Sequence, residues 1–491
     1  MSRVWVAILW ASMAVFAGNA SASGLEHPPL GSGLLAGSMA MAVDSTRTES
    51  KVNERMFKTH EQYIARHAFV RTLLELVVIN RIQNAMNRYV VHPFPENQQF
   101  IITGSSIKEN FLNGFEWDDN KFLVNAFDHP FNGAMYYSTG RANGYDYYHS
   151  LLWAALGSYG WEFAGENNHP AVNDWINTTY GGATFGESLY RLSNLVLDNQ
   201  ATGASRVFRE IGAGILSPGR FLNRIVTGEA LHVHANPPGV TPDVLVGRLE
   251  LGARFIGDDH LWDDTQSSAF IAFGANYGDP FSEELEKPFD QFAFDVQFNF
   301  DSPDSIDFVG EVDVEGWLFG KNEYDAEHLG SFVAGYTHYN YYSNEVFRYG
   351  SQEIGAGYLK RYAMGTGRYH GLMRLDLNAI LLGGSRTDYV NISGRDYDYG
   401  PGMGMVFKWG VQRGEDIVFY LEQDANWIHS IDGNRANHYL FMTDARFQLP
   451  LHRHFKIGVE YLFYAAFRNY RDYSNVDVSS PEFRLSANLD I

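Results

Sequence analysis

The densest set of side chains able to do chemistry lies between residues 119 and 198. In chain order it comprises Asn125, His129, Asn132, Arg141, Glu162, Glu166, Asn173, Asp174, Asn177, Glu187 and Arg191. Glu162 and Glu166 are spaced i, i+4, as are Glu187 and Arg191, so each pair shares one face if the segment is helical. One imidazole facing several carboxylates from packed helices could do acid–base work or bind a metal. On that reading His129, Glu162, Asp174 and Glu187 are the catalytic candidates, and the other residues of the set bind or orient. A buried polar network that pins helices together accounts for the same residues, with Glu187 and Arg191 as an intrahelical pair. The spacing matches no metal template such as His-Glu-x-x-His, so no metal and no cofactor is expected.

Helices must position these groups. Apolar residues at a 3.6 period (Phe69, Leu73, Leu76, Val77, Met86) predict a helix within residues 52–89, and residues 90–118 read as irregular. Further helices are expected over 119–141, 146–164, 171–198 and 205–216, with Ser217-Pro218 opening one more. Gly181, Gly182 and Gly186 would let helix backbones approach closely.

Beyond about residue 243 the period changes to two. In Phe292-Ala293-Phe294-Asp295-Val296-Gln297-Phe298-Asn299-Phe300 every second side chain is apolar, which gives a strand one greasy and one wet face. Twelve such runs are expected, near 243–256, 267–277, 289–300, 305–319, 329–342, 351–362, 370–382, 399–410, 415–427, 437–449, 454–467 and 481–491. An even count of strands about ten residues long suits a bacterial membrane barrel. Long connections near 383–398, 428–436 and 468–480 alternate with short ones near 411–414 and 450–453. That rhythm puts the C-terminus, and the helical block before the barrel, in the periplasm. It fails earlier, which leaves the register of the first four strands open. The last strand alternates up to Ile491, without the usual terminal aromatic.

Arg3, the apolar run Val4 to Ala17 and Ala20-Ser21-Ala22 form a secretory signal peptide over residues 1–22. Residues 23–50 read as a flexible linker, 51–240 as a periplasmic helical domain and 241–491 as the barrel: an α+β chain. The chain has no cysteine, which excludes disulfides, thiolate metal sites and cysteine nucleophiles. A net charge of -21 argues against a nucleic-acid partner. Aromatic residues make up 15% of the chain, and Tyr and Trp favour a membrane interface. Inward positions Asp295, Gln297, Asn299, Asp307, Glu311, Asp313 and Glu315 predict an acidic lumen that favours cations.

Two resemblances add to this reading. Asp128-His129-Pro130-Phe131-Asn132-Gly133, Gly157-Ser158, Trp161-Glu162-Phe163, Asn173-Asp174-Trp175-Ile176-Asn177-Thr178, Gly181-Gly182, Gly186-Glu187 and Tyr190-Arg191-Leu192-Ser193 resemble the bacterial domain of unknown function 3943, over roughly 115–230. The resemblance implies an exported protein of Gram-negative bacteria and no particular reaction. Tyr336-Thr337-His338-Tyr339-Asn340 is similar to the catalytic strand of outer-membrane phospholipase A, which implies a general base at His338. Asn340 stands where that family has its nucleophilic serine, and Ser343 falls on the opposite face of a regular strand, so no acyl-enzyme can form here. The expected function is therefore an outer-membrane barrel acting as a pore, a transport element or an envelope scaffold. Its helical domain would plug or flank the periplasmic mouth. The alternatives are a lipid-active membrane enzyme and a module that binds a periplasmic protein. Outer-membrane lipid and the barrel assembly machinery are the expected partners.

Overall fold

The computed structural model describes residues 68–490, apart from 93, 95, 237–241, 243, 258–264, 283–284, 301–307, 321–328, 345, 366–367, 391–393, 414–415 and 453. The signal peptide, the linker and Asp307 lie outside the described residues.

Twelve antiparallel strands close into a barrel in simple sequence order. They are β1 (Leu245–Ile256), β2 (Gln266–Tyr277), β3 (Phe292–Phe300), β4 (Val309–Gly320), β5 (Gly330–Ser343), β6 (Arg348–Met364), β7 (Tyr369–Arg386), β8 (Tyr397–Arg413), β9 (Asp416–His429), β10 (Ala436–His452), β11 (Phe455–Tyr470) and β12 (Val476–Asp490). β1 pairs with β12 over Arg248↔Asp490 to Ile256↔Glu482, so the sheet has no free edge. Strict alternation then sends one face inward. Asp295 and Asp313 are opposite one another, as are Glu315 and His338. The intervening residues point outward: Leu377 opposite Met405, Phe447 opposite Val459, and Val459 opposite Leu485. On β7 to β12 and β1 this outward face is bare and apolar, with Leu251, Leu377, Met403, Phe441, Phe447 and Leu485 all exposed.

The lumen is crossed by ion pairs. Arg374 of β7 reaches Glu315 of β4 at 2.7 Å. Lys408 of β8 reaches Glu315 at 2.9 Å and Glu422 of β9 at 3.0 Å. Arg484 of β12 reaches Glu311 of β4 at 3.5 Å and Glu460 of β11 at 3.1 Å. The expected acidic residues do face inward, but basic partners accompany them. His338 is among the inward residues, 3.2 Å from Asp376.

The helical block comprises α1 (Ala68–Met86), α2 (Gly104–Asn113), α3 (His129–Ala142), α4 (Tyr147–Ala164), α5 (Val172–Ile176), α6 (Gly182–Val196), α7 (Gly203–Leu216) and α8 (Pro218–Thr227). Two expected helices are interrupted. The π-helical turn Val124–Asp128 leads into α3, and the π-helical turn Asn177–Gly181 joins α5 to α6. Residues 104–113, expected to be irregular, form α2 because Thr103 caps it: its hydroxyl accepts from the Ser106 N–H, and Ser106 bonds back to the Thr103 N–H.

The position of the block corrects an expectation. It does not sit at the barrel mouth; it packs against the outer wall. Phe294, Val296 and Phe298 of β3, Val312 and Val314 of β4, and Tyr339 and Tyr341 of β5 point outward and are buried. Phe185 of α6 stacks on Phe294 at 5.9 Å and meets Tyr339 in a tilted contact at 5.6 Å. Phe122 lies 5.6 Å from Tyr341, and the Tyr339 hydroxyl donates to the Ala126 carbonyl at 2.7 Å. The contact runs the full height of the wall. At one end Arg191 pairs with Asp290, just before β3. At the other, Asn125 donates to the Tyr397 hydroxyl at the start of β8.

The block has an apolar core that includes Phe131, Met135, Trp153 and Leu189, yet it also buries many polar groups and leaves large apolar side chains outside. On α1, Thr72, Glu75 and Gln83 are buried together with Leu76 and Ile79, while Phe69 (61% exposed), Val70, Leu73, Leu74, Val77, Val78 and Ile82 face away from the protein. On α4, Ser150, Ser158 and Glu162 are inside and Tyr148, Leu152 and Leu156 outside. On α7, Arg206 and Glu210 are inside and Val207, Phe208 and Ile211 outside. A buried network supports this arrangement: Arg224 donates to both Glu210 and Glu229, and Arg206 pairs with Glu210 at 2.9 Å.

Candidate functional site

His129, Glu162 and Asp174 converge. Each offers a ligand-type atom, and the three atoms lie within 4.8 Å of one another. His129 opens α3 where the π-helical turn ends, Glu162 lies in the last turn of α4, and Asp174 sits on the short α5. All three side chains are buried, Glu162 completely. π-helical turns cost hydrogen-bond geometry and recur at functional sites. Here one ends at His129 and the other contains Thr178, which contacts His129.

Each group is held by its second atom. The His129 Nε2 lies 3.4 Å from the Asp174 Oδ2, and its Nδ1 lies 3.3 Å from the Thr178 hydroxyl. Asp174 Oδ1 accepts from the Asn173 amide at 2.7 Å, and Asn173 in turn accepts from the Asp118 N–H at 2.9 Å. Glu162 Oε2 accepts from the Ala171 N–H at 2.8 Å, while Oε1 has no hydrogen-bond partner. Glu166 lies just past the end of α4, off the helix face expected for it; it and the half-buried Asp118 interact unfavourably with Glu162 and Asp174, and Arg395 interacts favourably with Asp174. Several carboxylates are thus gathered in a dry place, which is costly unless a proton or cation offsets them.

The remaining predicted residues divide among three other places. Glu187 lies in a separate cluster, where it accepts from Arg141 at 2.7 Å, Arg191 at 2.9 Å and the Tyr137 hydroxyl at 2.8 Å. Its oxygens are engaged by those donors, so it joins α3 to α6 and has no approach to His129. Asn132 accepts from Gln83 of α1 at 3.0 Å. Asn177 donates to the Asn125 carbonyl and to the Tyr399 hydroxyl, tying the block to β8. The close approach that seats Thr178 beside α3 depends on glycine: a Cβ on Gly133 would fall 1.8 Å from the Thr178 carbonyl oxygen, and one on Gly182 would fall 2.5 Å from Gly133 Cα.

A second gathering joins the lumenal Glu315 and His338, each singled out separately in the sequence, with Asp376, which was not. Their i, i+2 spacing to Asp313, Asn340 and Arg374 on alternating strands was the available signal; the register that brings three strands together was not. Arg374 and Lys408 neutralise this group.

Residues 114–219 match the model of a domain of unknown function (DUF3943). The match covers the whole His129–Glu162–Asp174 cluster. No curated protein matches the chain. Among solved structures, the chain is similar to the NanC porin at 10% identity, over 48% of this chain and 98% of that one, with a TM-score of 0.24. It is similar to the KdgM porin at 7% identity, over 49% and 98%, with a TM-score of 0.23. The outer membrane channel DcaP of Acinetobacter baumannii follows at 10% identity, over 50% and 96%, with a TM-score of 0.20.

Proposed function

We propose that this chain is an integral outer-membrane protein in which a closed barrel anchors a lipid-immersed helical block. It belongs to the envelope-scaffold class rather than to constitutively open pores. The observation that carries the reading is a block with an apolar outer surface standing along the full height of the outer wall. In water, a surface bearing Phe69, Val70, Leu73, Leu74, Val77, Leu152, Leu156 and Phe208 would be a large apolar liability. Against a barrel wall whose other strands expose Leu377, Met403, Phe441 and Leu485, it continues one apolar belt. Arg81, near the end of α1, is long enough to snorkel to an interface. None of the described helices is long and apolar enough to cross a membrane alone, so the block would be held at membrane depth by the wall and not by spans of its own. The periplasmic placement expected from the loop rhythm is replaced in this proposal by a lateral one.

The absence of cysteine makes a direct test convenient. Spin labels at Leu74→Cys, Leu152→Cys and Phe208→Cys in proteoliposomes should show the oxygen accessibility of a label at Leu377→Cys on the barrel wall. Preferential access to a water-soluble nickel chelate at all three block positions would overturn the reading.

A lipid-active enzyme is the second reading, favoured by the convergence of His129, Glu162 and Asp174 in a block that itself faces lipid. It requires that His129→Ala abolish a turnover on lipid substrates while the barrel stays folded.

A further inference from the structure

We propose that His129, Glu162 and Asp174 bind one divalent metal ion of the zinc–manganese class. The inference deepens the site described above and is independent of where the block lies relative to lipid, so either can fail alone.

Several observations converge on a cation. The three ligand-type atoms come from three different elements and meet within 4.8 Å. The 3.4 Å between His129 Nε2 and Asp174 Oδ2 matches the edge of a tetrahedron with bonds of about 2.1 Å. Glu162 Oε1 is buried in a side chain with no exposed surface and accepts no hydrogen bond. An orphaned carboxylate oxygen so deep in a protein is expensive, and a metal would satisfy it.

The outer atoms are arranged as a metal site needs them. The Thr178 hydroxyl beside Nδ1 can accept its proton, which leaves the Nε2 lone pair for the ion. The Asn173 amide and the Ala171 N–H hold one oxygen each of Asp174 and Glu162. The lumenal Glu315–His338–Asp376 set shows the contrast. It has the same residue types at similar spacing, but Arg374 and Lys408 supply its positive charge. Among the described residues Glu162 and Asp174 form no Lys or Arg salt bridge; Arg395 acts on Asp174 without reaching ion-pair distance, so a bound cation would supply the neutralisation that this leaves unmet. One imidazole with two carboxylates and no thiolate suits zinc or manganese and disfavours copper(I).

The test uses the full-length protein in detergent, stripped with chelator, loaded with Zn²⁺ or Mn²⁺ and dialysed. Metal is counted by mass spectrometry of the elements, and folding by heat-modifiable electrophoretic mobility. One metal per chain is expected for the native protein. Affinity should fall at least ~10-fold in Glu162→Gln and Asp174→Asn. Asp376→Asn in the lumen should keep the native stoichiometry. A native protein that holds no stoichiometric Zn²⁺ or Mn²⁺, or isosteric variants that bind as well as it does, would refute the site. If the variants do not fold, pulsed electron paramagnetic resonance of the Mn²⁺-loaded native protein decides: imidazole nitrogen coupling supports His129 ligation, and its absence sinks it.

Discussion

Glu187 illustrates how far residue types and spacing reach. Its i, i+4 relation to Arg191 is legible in the sequence, and that bond is present at 2.9 Å. Arg141, 46 positions upstream, is the partner that decides its role, and only packing brings it there. With two guanidinium groups and the Tyr137 hydroxyl on one carboxylate, Glu187 is a joint between α3 and α6. Removing its charge leaves Arg141 without its carboxylate and Arg191 with Asp290 alone, and breaking a buried pair in this way costs about 3–5 kcal/mol. Glu187→Gln should therefore loosen the helical block rather than remove a chemical step. Limited proteolysis should cut within residues 68–230 while the barrel retains its heat-modifiable mobility. A variant as protease-resistant as the native protein would show that the joint is dispensable. His129, Glu162 and Asp174 lie 33 and 12 positions apart along the chain. Their types marked them as candidates, but their convergence depends on two π-helical turns that no periodicity announces.

At the scale of elements, strands were far more legible than helices. A period of two needs only a wet and a greasy face, and both lumen and wall enforce it, so the expected strands match the twelve observed to within a few residues at most ends. Helices 119–141 and 171–198 were read as continuous because a π-helical turn keeps helical composition. The small capping pair Thr103 and Ser106 was the available signal for α2. The glycine expectation was a sound one: Gly182 and Gly186 face α3, where a Cβ on Gly186 would fall 2.9 Å from Ala134 Cα. Gly182→Ala must push α3 and α6 apart, because its neighbour is backbone and cannot rotate away. Thermal unfolding of the block should drop well beyond that of Gly144→Ala. At Gly144 nothing lies within 4 Å, and only the positive φ of 89° opposes a side chain, at a cost of about 1 kcal/mol. Equal losses at the two positions would mean that the α3–α6 contact is not tight.

The whole-molecule arrangement was the least legible, for a physical reason. Phe294, Val296 and Phe298 beneath the block are as apolar as Leu375 and Leu377 on the bare wall, because helices and lipid make the same demand of an outward side chain. The alternation therefore located the wall without saying what covers it. The stripe Phe69, Leu73, Leu76, Val77 and Met86 marked a helix, but it does not form one buried face: Leu76 is packed inside with polar Thr72, Glu75 and Gln83, Met86 is half-buried, and Phe69, Leu73 and Val77 face away from the protein. The acidic lumen was legible residue by residue; Arg374, Lys408 and Arg484, which cross it, belong to strands whose pairing partners were not. Those bridges predict a small conductance for the native protein in planar bilayers. Arg374→Ala should raise it, because the variant removes a bridge between β4 and β7 and leaves Glu315 and Asp376 to attract cations. A large, ohmic native conductance would contradict a bridged lumen. The similarity of the two kinds of wall has a further consequence. If the block is shed, lipid can take its place on Phe294, Val296, Val312 and Tyr339, whereas water could not. Residues 241–491 alone should therefore insert into liposomes and show heat-modifiable mobility like the full chain, since barrel closure through β1 and β12 lies wholly within that stretch. Failure of that fragment to insert, with the full chain folding under the same conditions, would mean that the helices template the wall they cover.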